Sequence, residues 1–186
     1  MARVFVITGP SGVGKGTLIK RLRDLLPELR LSVSATTRPP RRGEVHGEDY
    51  WFLDPEEFSR RVGDGDFVEH AEYAGRHYGT LREELDRHLD EGAPVVLEIE
   101  VQGARQVREA MPEAIQVFVV PPSFEALRAR LEGRGTDGDE TIQRRLDVSR
   151  VELESQHEFD HRIVNDDLDR ATDELVGIVR SAIAAA

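Results

Sequence analysis

The stretch VFVITGPSGVGKGTLIKRL, residues Val4 to Leu22, decides the fold. It begins with an apolar run, passes through a glycine-rich turn, and ends in a segment with leucines at helical spacing. The turn, Gly9 to Thr17, nearly matches G-x-x-x-x-G-K-[ST], in which backbone N–H groups and a lysine hold phosphates. Because it follows a predicted strand and opens a predicted helix, we predict a phosphate-binding loop at this position.

One residue of the loop departs from that pattern. Gly16 stands where a Ser or Thr hydroxyl would bind Mg²⁺ directly. Since Mg²⁺ usually keeps several of its waters, the loss of one protein ligand need not abolish binding. We therefore predict a working variant, in which Mg²⁺ is held mainly through water and the nucleotide. Thr17 can offer its hydroxyl to a phosphate, and Lys15 can offer its positive charge.

Length and composition narrow the class of protein. The 186 residues, 39% hydrophobic and 33% charged, are typical of one globular domain. No apolar run approaches the roughly 20 residues that span a bilayer, and no secretory signal opens the chain, so we expect a cytoplasmic protein without membrane partners. The formal charge of −11 argues against a nucleic acid polymer as a partner. The sequence offers no prediction of oligomeric state.

Hydrophobic patterning predicts the architecture. Short apolar runs predict buried strands at residues 4–7, 94–101, 115–120 and 162–165. The alternating stretch LRLSVSAT at 29–36 predicts a fifth strand. Helical patterns lie between these runs, which is typical of a parallel sheet covered on both faces. We expect a single α/β domain over residues 1–186.

Local signals also predict helix ends. Pro27 indicates where the first helix should stop, and Asp54 followed by Pro55 predicts the start of another helix. The sequence TLRE, from Thr80 to Glu83, fits a capping box with Thr80 as the N-cap.

Longer motifs carry a resemblance along essentially the whole chain. They are GPSGVGKGT, SVSATTRPPRRGEVHGEDYWF, FVEHAEYAGRHYGT, VVLEIEVQGARQV, LEGRGTDGDETIQRRL and RIVNDDLD. Together they resemble guanylate kinase. The resemblance implies a three-layer P-loop kinase fold with a parallel core sheet, an inserted GMP-binding subdomain over about residues 33–82 and a short lid near 132–147. It also implies the reaction ATP + GMP ⇌ ADP + GDP, with dGMP as a further acceptor and Mg²⁺ as cofactor.

The resemblance assigns the acceptor phosphate to Arg38, Arg41, Tyr50 and Tyr78. A planar guanidinium fork suits a phosphate better than an ammonium does. The prolines between the two arginines stiffen that segment.

By the same matching, Glu69, Ser34 and Thr80 select guanine. A carboxylate can accept from both N1–H and N2–H₂ of guanine, whereas adenine presents an acceptor at N1. Ser34 and Thr80 can donate to O6 or N7, although the capping box gives Thr80 a rival role.

Glu98 and Glu100 close the predicted strand VVLEIE, where ligands of open α/β sheets gather. Alternate residues share a face of a strand, so both carboxylates can point one way. The family usually has Asp at the second position, so Glu100 is one methylene longer. Whether it contacts guanine, a magnesium-bound water or both stays open. We expect Thr17 and Glu98 or Glu100 to contact the metal only indirectly.

On the donor side, the resemblance assigns ATP binding to the phosphate loop and to the end of the last strand. These residues are Gly9, Pro10, Ser11, Gly12, Val13, Gly14, Lys15, Gly16, Thr17 and Asn165. The catalytic set implied by the resemblance is Lys15, Arg38, Arg134 and Arg145. Arg144 is adjacent, so the sequence leaves a swapped assignment open. No general base is needed, because the acceptor phosphate is already largely ionised at neutral pH.

Three other functions remain to be distinguished. His157 to His161 spells H-E-x-x-H, a zinc protease signature, but it runs straight into a predicted strand. Guanylate-kinase-like domains of scaffold proteins bind phosphorylated peptides without catalysis. Such domains typically lack the intact phosphate loop found here. A kinase for another small phosphate acceptor is the third possibility.

Overall fold

A computed structural model describes residues 3–73, 75–133 and 138–185. The strands in these ranges are β1 (Val4–Thr8), β2 (Arg30–Leu31), β3 (Ala35–Thr36), β4 (Trp51–Phe52), β5 (Phe67–Tyr73), β6 (Arg76–Leu81), β7 (Val95–Glu98), β8 (Ile115–Val120) and β9 (His161–Val164). The helices are α1 (Lys15–Leu25), α2 (Pro55–Asp64), α3 (Arg82–Asp90), α4 (Val101–Ala110), α5 (Phe124–Glu132), α6 (Asp139–Glu154) and α7 (Leu168–Ala184).

The core sheet has the strand order β2-β7-β1-β8-β9, and each neighbouring pair is parallel. Successive residues of β1 face opposite sides of this sheet. Phe5 and Ile7 pack into a cluster with residues of α1, α5, α6 and α7, whereas Val4 and Val6 pack with residues of α3 and α4. The sheet is therefore covered on both faces, which confirms the predicted three-layer α/β fold.

A second sheet stands beside the carboxyl edge of the core sheet. Its order is β4-β3-β6-β5, with β6 antiparallel to both β3 and β5. All of its strands come from residues 35–81, within the stretch predicted to bind the acceptor. It has its own small apolar cluster, which includes Phe58, Phe67 and Leu81.

The prediction of one strand over residues 29–36 is wrong. Residues 30–31 form β2 and pair with β7 of the core sheet, whereas residues 35–36 form β3 of the second sheet. The chain crosses between the sheets at residues 32–34. The Ser32 N–H still donates to Val96 O at 3.0 Å, and Ser34 O already accepts from the Trp51 N–H at 2.9 Å. The alternating pattern predicted an extended backbone for residues 29–36, but it did not indicate which strands this segment would pair with.

Two predicted helix ends are confirmed. Helix α1 ends at Leu25, and its C-cap, Leu26, immediately precedes Pro27. Helix α2 begins at Pro55, and the Asp54 side chain accepts from the Glu57 N–H at 2.8 Å. Within the described ranges, no helix combines the length and apolar character needed to cross a bilayer.

Candidate active site

The phosphate loop lies where β1 ends and α1 begins, at the carboxyl edge of the core sheet. Gly9 has a φ of +147°, and a Cβ at this position would overlap the Val119 carbonyl oxygen of the neighbouring strand β8. Only glycine can therefore bring the loop this close to β8. The sequence pattern and the packing of the sheet agree at this residue.

Lys15 and Gly16 open α1 on the cavity side of the loop. The Lys15 side chain is buried, and its Nζ donates to Gly9 O at 2.5 Å. A Cβ on Gly16 would lie 3.9 Å from Glu98 Oε2, so the side of the loop that lacks a hydroxyl faces this carboxylate. The Lys15 ammonium group and the Glu98 carboxylate thus both lie near the start of α1, next to Thr17.

A cavity of about 660 Å³ runs from the phosphate loop to the second sheet. The predicted residues that line it are Pro10, Ser11, Gly12, Gly14, Lys15, Gly16, Thr17, Ser34, Tyr50, Glu69, Tyr78, Glu98 and Glu100. Donor-side and acceptor-side candidates from distant parts of the chain therefore share one cavity. Some predicted site residues that the structure describes do not line this cavity. They are Gly9, Val13, Arg38, Arg41, Thr80, Arg145 and Asn165.

Glu69 lies at the acceptor end of the cavity and is 4% exposed. Its Oε1 accepts from Thr80 Oγ1 at 2.7 Å, across the register of β5 and β6. Burial raises the pKa of Glu69 to about 7, although the Thr80 hydrogen bond acts in the opposite direction. On its other side the carboxylate rests on Gly103 of α4, where any Cβ would overlap Glu69 Oε2. The second sheet and α4 together hold a buried acid with few hydrogen bonds.

The capping-box alternative for Thr80 is wrong. Helix α3 begins at Arg82 with Leu81 as its N-cap, and no side chain caps it. Thr80 belongs to β6, and its hydroxyl points to Glu69 instead of to the helix. The strand extends one residue further than the local pattern suggested, because pairing with β5 outweighs the cap.

Arg38 is held in place by groups of its own segment. Its guanidinium makes a bidentate pair with Glu44, with donor–acceptor distances of 2.9 and 2.8 Å. Its Cζ lies 5.2 Å from the Tyr50 ring centroid, and the rings of Tyr50 and Tyr78 are 6.3 Å apart. The Arg41 side chain is exposed, while its backbone N–H donates to Glu44 Oε2 at 2.6 Å. Glu44 was missed at the sequence level, although an acid next to three arginines was a usable signal.

Glu98 and Glu100 both line the cavity. The strand predicted over residues 94–101 is too long, because β7 ends at Glu98 and Glu100 is already the N-cap of α4. Desolvation by the surrounding protein raises the pKa of Glu98, against the opposing effect of the Lys15 charge. Burial, together with the neighbouring Glu100 carboxyl group, raises the pKa of Glu152 on α6. No sequence signal indicated that this second acid would lie beside Glu100.

The two candidate arginines, Arg144 and Arg145, are adjacent in α6 but point in different directions. Arg145 Nη2 donates to Ser11 Oγ of the phosphate loop at 2.6 Å. Arg144 instead faces solvent, 3.7 Å from Glu140. The geometry favours Arg145 for the role beside the transferred phosphate. Arg134 and part of the predicted lid at 132–147 fall outside the described residues.

Asn165 follows β9 and turns its side chain into the phosphate loop. Its Nδ2 donates to Val13 O at 2.8 Å, and its own carbonyl oxygen accepts from Arg130 Nη2 at 2.7 Å. Arg130 was not among the predicted site residues. No motif marks it, because its partners lie far away along the chain.

The zinc protease signature does not form a metal site of the expected kind. His157 belongs to the 3₁₀ helix Ser155–Glu158, whereas His161 begins β9. The two imidazoles therefore do not share one face of a helix, which the mechanism requires.

Comparison with known proteins agrees with this arrangement. The family model described as guanylate kinase matches residues 1–182. A guanylate kinase from Synechococcus sp. (strain CC9311) is 57% identical over 175 residues, 94% of this chain and 92% of the relative. One from Rubrobacter xylanophilus is 50% identical over 182 residues, 98% of this chain and 95% of the relative.

A solved structure adds a comparison of the fold. The crystal structure of guanylate kinase from Anaplasma phagocytophilum aligns with a TM-score of 0.77 and 34% identity, covering 97% of this chain and 85% of that one. Sequence and structure thus match over nearly the whole length. The chain belongs to the guanylate kinase family.

Proposed function

We propose that this chain transfers the γ-phosphoryl group of ATP to GMP, and also to dGMP, and so forms the nucleoside diphosphate. Membership of the guanylate kinase family supports this reaction. The observation that carries it is the shared cavity, which has a lysine-bearing phosphate loop at one end and the buried Glu69 at the other. A binding module without catalysis is not favoured, because the phosphate loop and Lys15 are intact.

Glu69 selects guanine, and Ser34 and Thr80 contribute to the recognition of the base. The ionised carboxylate accepts from N1–H and N2–H₂ of guanine, and adenine offers no such pair of donors. The hydrogen bond from Thr80 fixes one carboxylate oxygen. Burial makes an unpaired carboxylate costly, so the site favours a base that supplies two donors.

Phosphoryl transfer rests on positioning and electrostatics. Arg38, Arg41, Tyr50 and Tyr78 hold the acceptor phosphate, whose oxygen is already ionised and needs no general base. Lys15 and the lid arginines Arg134 and Arg145 neutralise the charge that spreads over the transferred group. Residues 33–82 act as the acceptor-binding unit and 132–147 as the lid.

The residues present suit Mg²⁺ held by the nucleotide. Glu98, Glu100 and Thr17 all line the cavity and carry side-chain oxygen atoms, the ligand type that Mg²⁺ prefers. In the described residues, no group of three acidic, His or Cys side chains could hold a metal by itself. These side chains would hold water molecules bound to the metal, and the metal would supply positive charge that neutralises the ATP phosphates. A cytoplasmic location stays a prediction from the sequence.

The experiment is a comparison of acceptors. Purified protein with ATP and Mg²⁺ is offered GMP, dGMP, AMP and UMP, and ADP release is followed by a coupled assay. We expect GMP and dGMP to be used and AMP and UMP to be poor substrates. A preference for AMP would remove the base assignment, and no transfer to any acceptor would refute the reaction.

A further inference from the structure

One carbonyl of the phosphate loop is held from two sides. Val13 O accepts from Arg130 Nη1 at 3.0 Å and from Asn165 Nδ2 at 2.8 Å. Arg130 belongs to α5, and Asn165 follows β9, so both donors come from outside the loop. A carbonyl with two lone pairs is fully satisfied by two such donors.

The two donors also support each other. The second guanidinium nitrogen of Arg130, Nη2, donates to Asn165 O at 2.7 Å. Asn165 is 5% exposed, and Val13 is 0% exposed. The half-buried Arg130 therefore ties the phosphate loop to the end of the last core strand through two buried residues. Hydrogen bonds from a charged donor are among the stronger ones in proteins.

Glycine at position 14 is part of this arrangement. Gly14 has a φ of +102°, and a Cβ there would lie 2.6 Å from Asn165 Nδ2. The same freedom makes glycine-containing peptide units easy to rotate, because Gly tolerates both signs of φ. A rotated Val13–Gly14 peptide would turn its carbonyl oxygen toward an anion and repel it. The loop therefore needs something that sets the orientation of this peptide.

The held carbonyl sets that orientation. The described residues contain no cis peptide, so the C=O of Val13 and the N–H of Gly14 point in opposite directions. Among the described residues, Gly14 and Lys15 line the cavity, whereas Val13, Arg130 and Asn165 do not. With the carbonyl fixed on the outer side, the Gly14 N–H faces the cavity beside Lys15.

We propose that Arg130, together with Asn165, is a positioning residue that aims the Gly14 N–H at the phosphates by holding the Val13 carbonyl. The proposal rests on the proposed function in one respect, that the loop binds the donor's phosphates. It concerns neither the acceptor nor the adenine base. Arg130 acts through the loop and needs no contact with the nucleoside.

A base-free probe tests this role. Binding of tripolyphosphate and of ATP, each with Mg²⁺, is measured by calorimetry on the full chain without GMP, so that no phosphoryl transfer occurs during the titration. Arg130→Met keeps the apolar stem but removes every donor. We expect the Kd of both ligands to rise by the same factor, about tenfold, which is typical of one lost hydrogen bond from a charged group. The KM for GMP should not change.

The chain offers a matched control on the same helix. Arg128 is 3.7 Å from Glu132, and its side chain is 44% exposed. Arg128→Met should change both Kd values by no more than about twofold, as for other surface substitutions. Arg130→Lys should lie between the wild type and Arg130→Met, because one ammonium can donate to Val13 O without bridging to Asn165 O.

Several outcomes overturn the proposal. Weaker binding of ATP with unchanged binding of tripolyphosphate would place Arg130 against the nucleoside instead of behind the loop. Unchanged binding of both ligands, or no binding of tripolyphosphate by the wild type, would refute the role. Circular dichroism checks the fold; if Arg130→Met does not fold, Arg130→Lys carries the same comparison. Failure of GMP phosphorylation alone leaves this readout intact, so the two claims fail separately.

Discussion

Replacing Glu69 by Gln should raise stability and lower activity at the same time. Burial raises the pKa of Glu69 from the ordinary value of 4.5 to about 7, so the folded state favours the neutral acid. The unfolded chain ionises first as the pH rises, so the cost to folding is absent below pH 4.5 and complete above about pH 7. The change corresponds to about 3 kcal/mol, which a neutral Gln does not incur.

The same substitution removes the acceptor that guanine requires. A carboxylate accepts from two donors of guanine, whereas the Gln amide must place its own NH₂ against one of them. Losing a bidentate base contact costs about 1–3 kcal/mol, which corresponds to a fall of about 5- to 150-fold in kcat/KM for GMP. The carboxylate of Glu69 therefore lowers the stability of the fold above about pH 5 but is needed for activity with GMP.

The assay measures urea unfolding of the wild type and Glu69→Gln at about pH 5 and about pH 8.5, together with GMP kinetics. We expect Glu69→Gln to gain about 2–3 kcal/mol relative to the wild type between the two conditions, since a small part of the cost is already present at about pH 5. Glu72→Gln, on an exposed position of the same strand, is the control and should show neither effect. A stability difference that is independent of pH, or full activity with GMP, would refute the reasoning.

Three further predictions address other parts of the site. Lys15→Met should lower kcat by at least about 100-fold while the circular dichroism spectrum is unchanged, because the buried cation aims at the phosphates; retained turnover would contradict this. Gly103→Ala should lower kcat/KM for GMP by displacing Glu69, whereas Gly177→Ala, with nothing within 4 Å, should stabilise the fold by up to about 1 kcal/mol. Equal kinetics and stability for the two alanine variants would show that the contact with Glu69 is unimportant. Arg38→Lys should raise the KM for GMP about tenfold and leave that for ATP unchanged, since an ammonium cannot replace the bidentate fork; an equal rise for both substrates would argue against an acceptor role.

Local sequence was sufficient where the structure depends on neighbouring residues. The apolar runs predicted the core strands. The loop from Gly9 to Thr17 was recognised because its backbone conformation depends on glycines that are close together in the sequence. The helix start at Asp54 followed the same logic, since the cap and its partner are three residues apart. The family motifs then indicated which side chains would meet, as relatives share the packing that brings them together.

Tertiary structure decided what depends on partners that are remote in sequence. Residues 29–36 divide between two sheets, and Thr80 donates to Glu69 instead of capping a helix, because strand pairing outweighed the local pattern. Arg130 reaches a carbonyl 117 residues away, and no periodicity or spacing can encode such a contact. The sequence by itself thus determined the family, the core strands and the phosphate loop. Burial and long-range hydrogen bonds, which exist only once the chain has packed, decided the raised pKa of Glu69 and the contacts that hold the Val13 carbonyl.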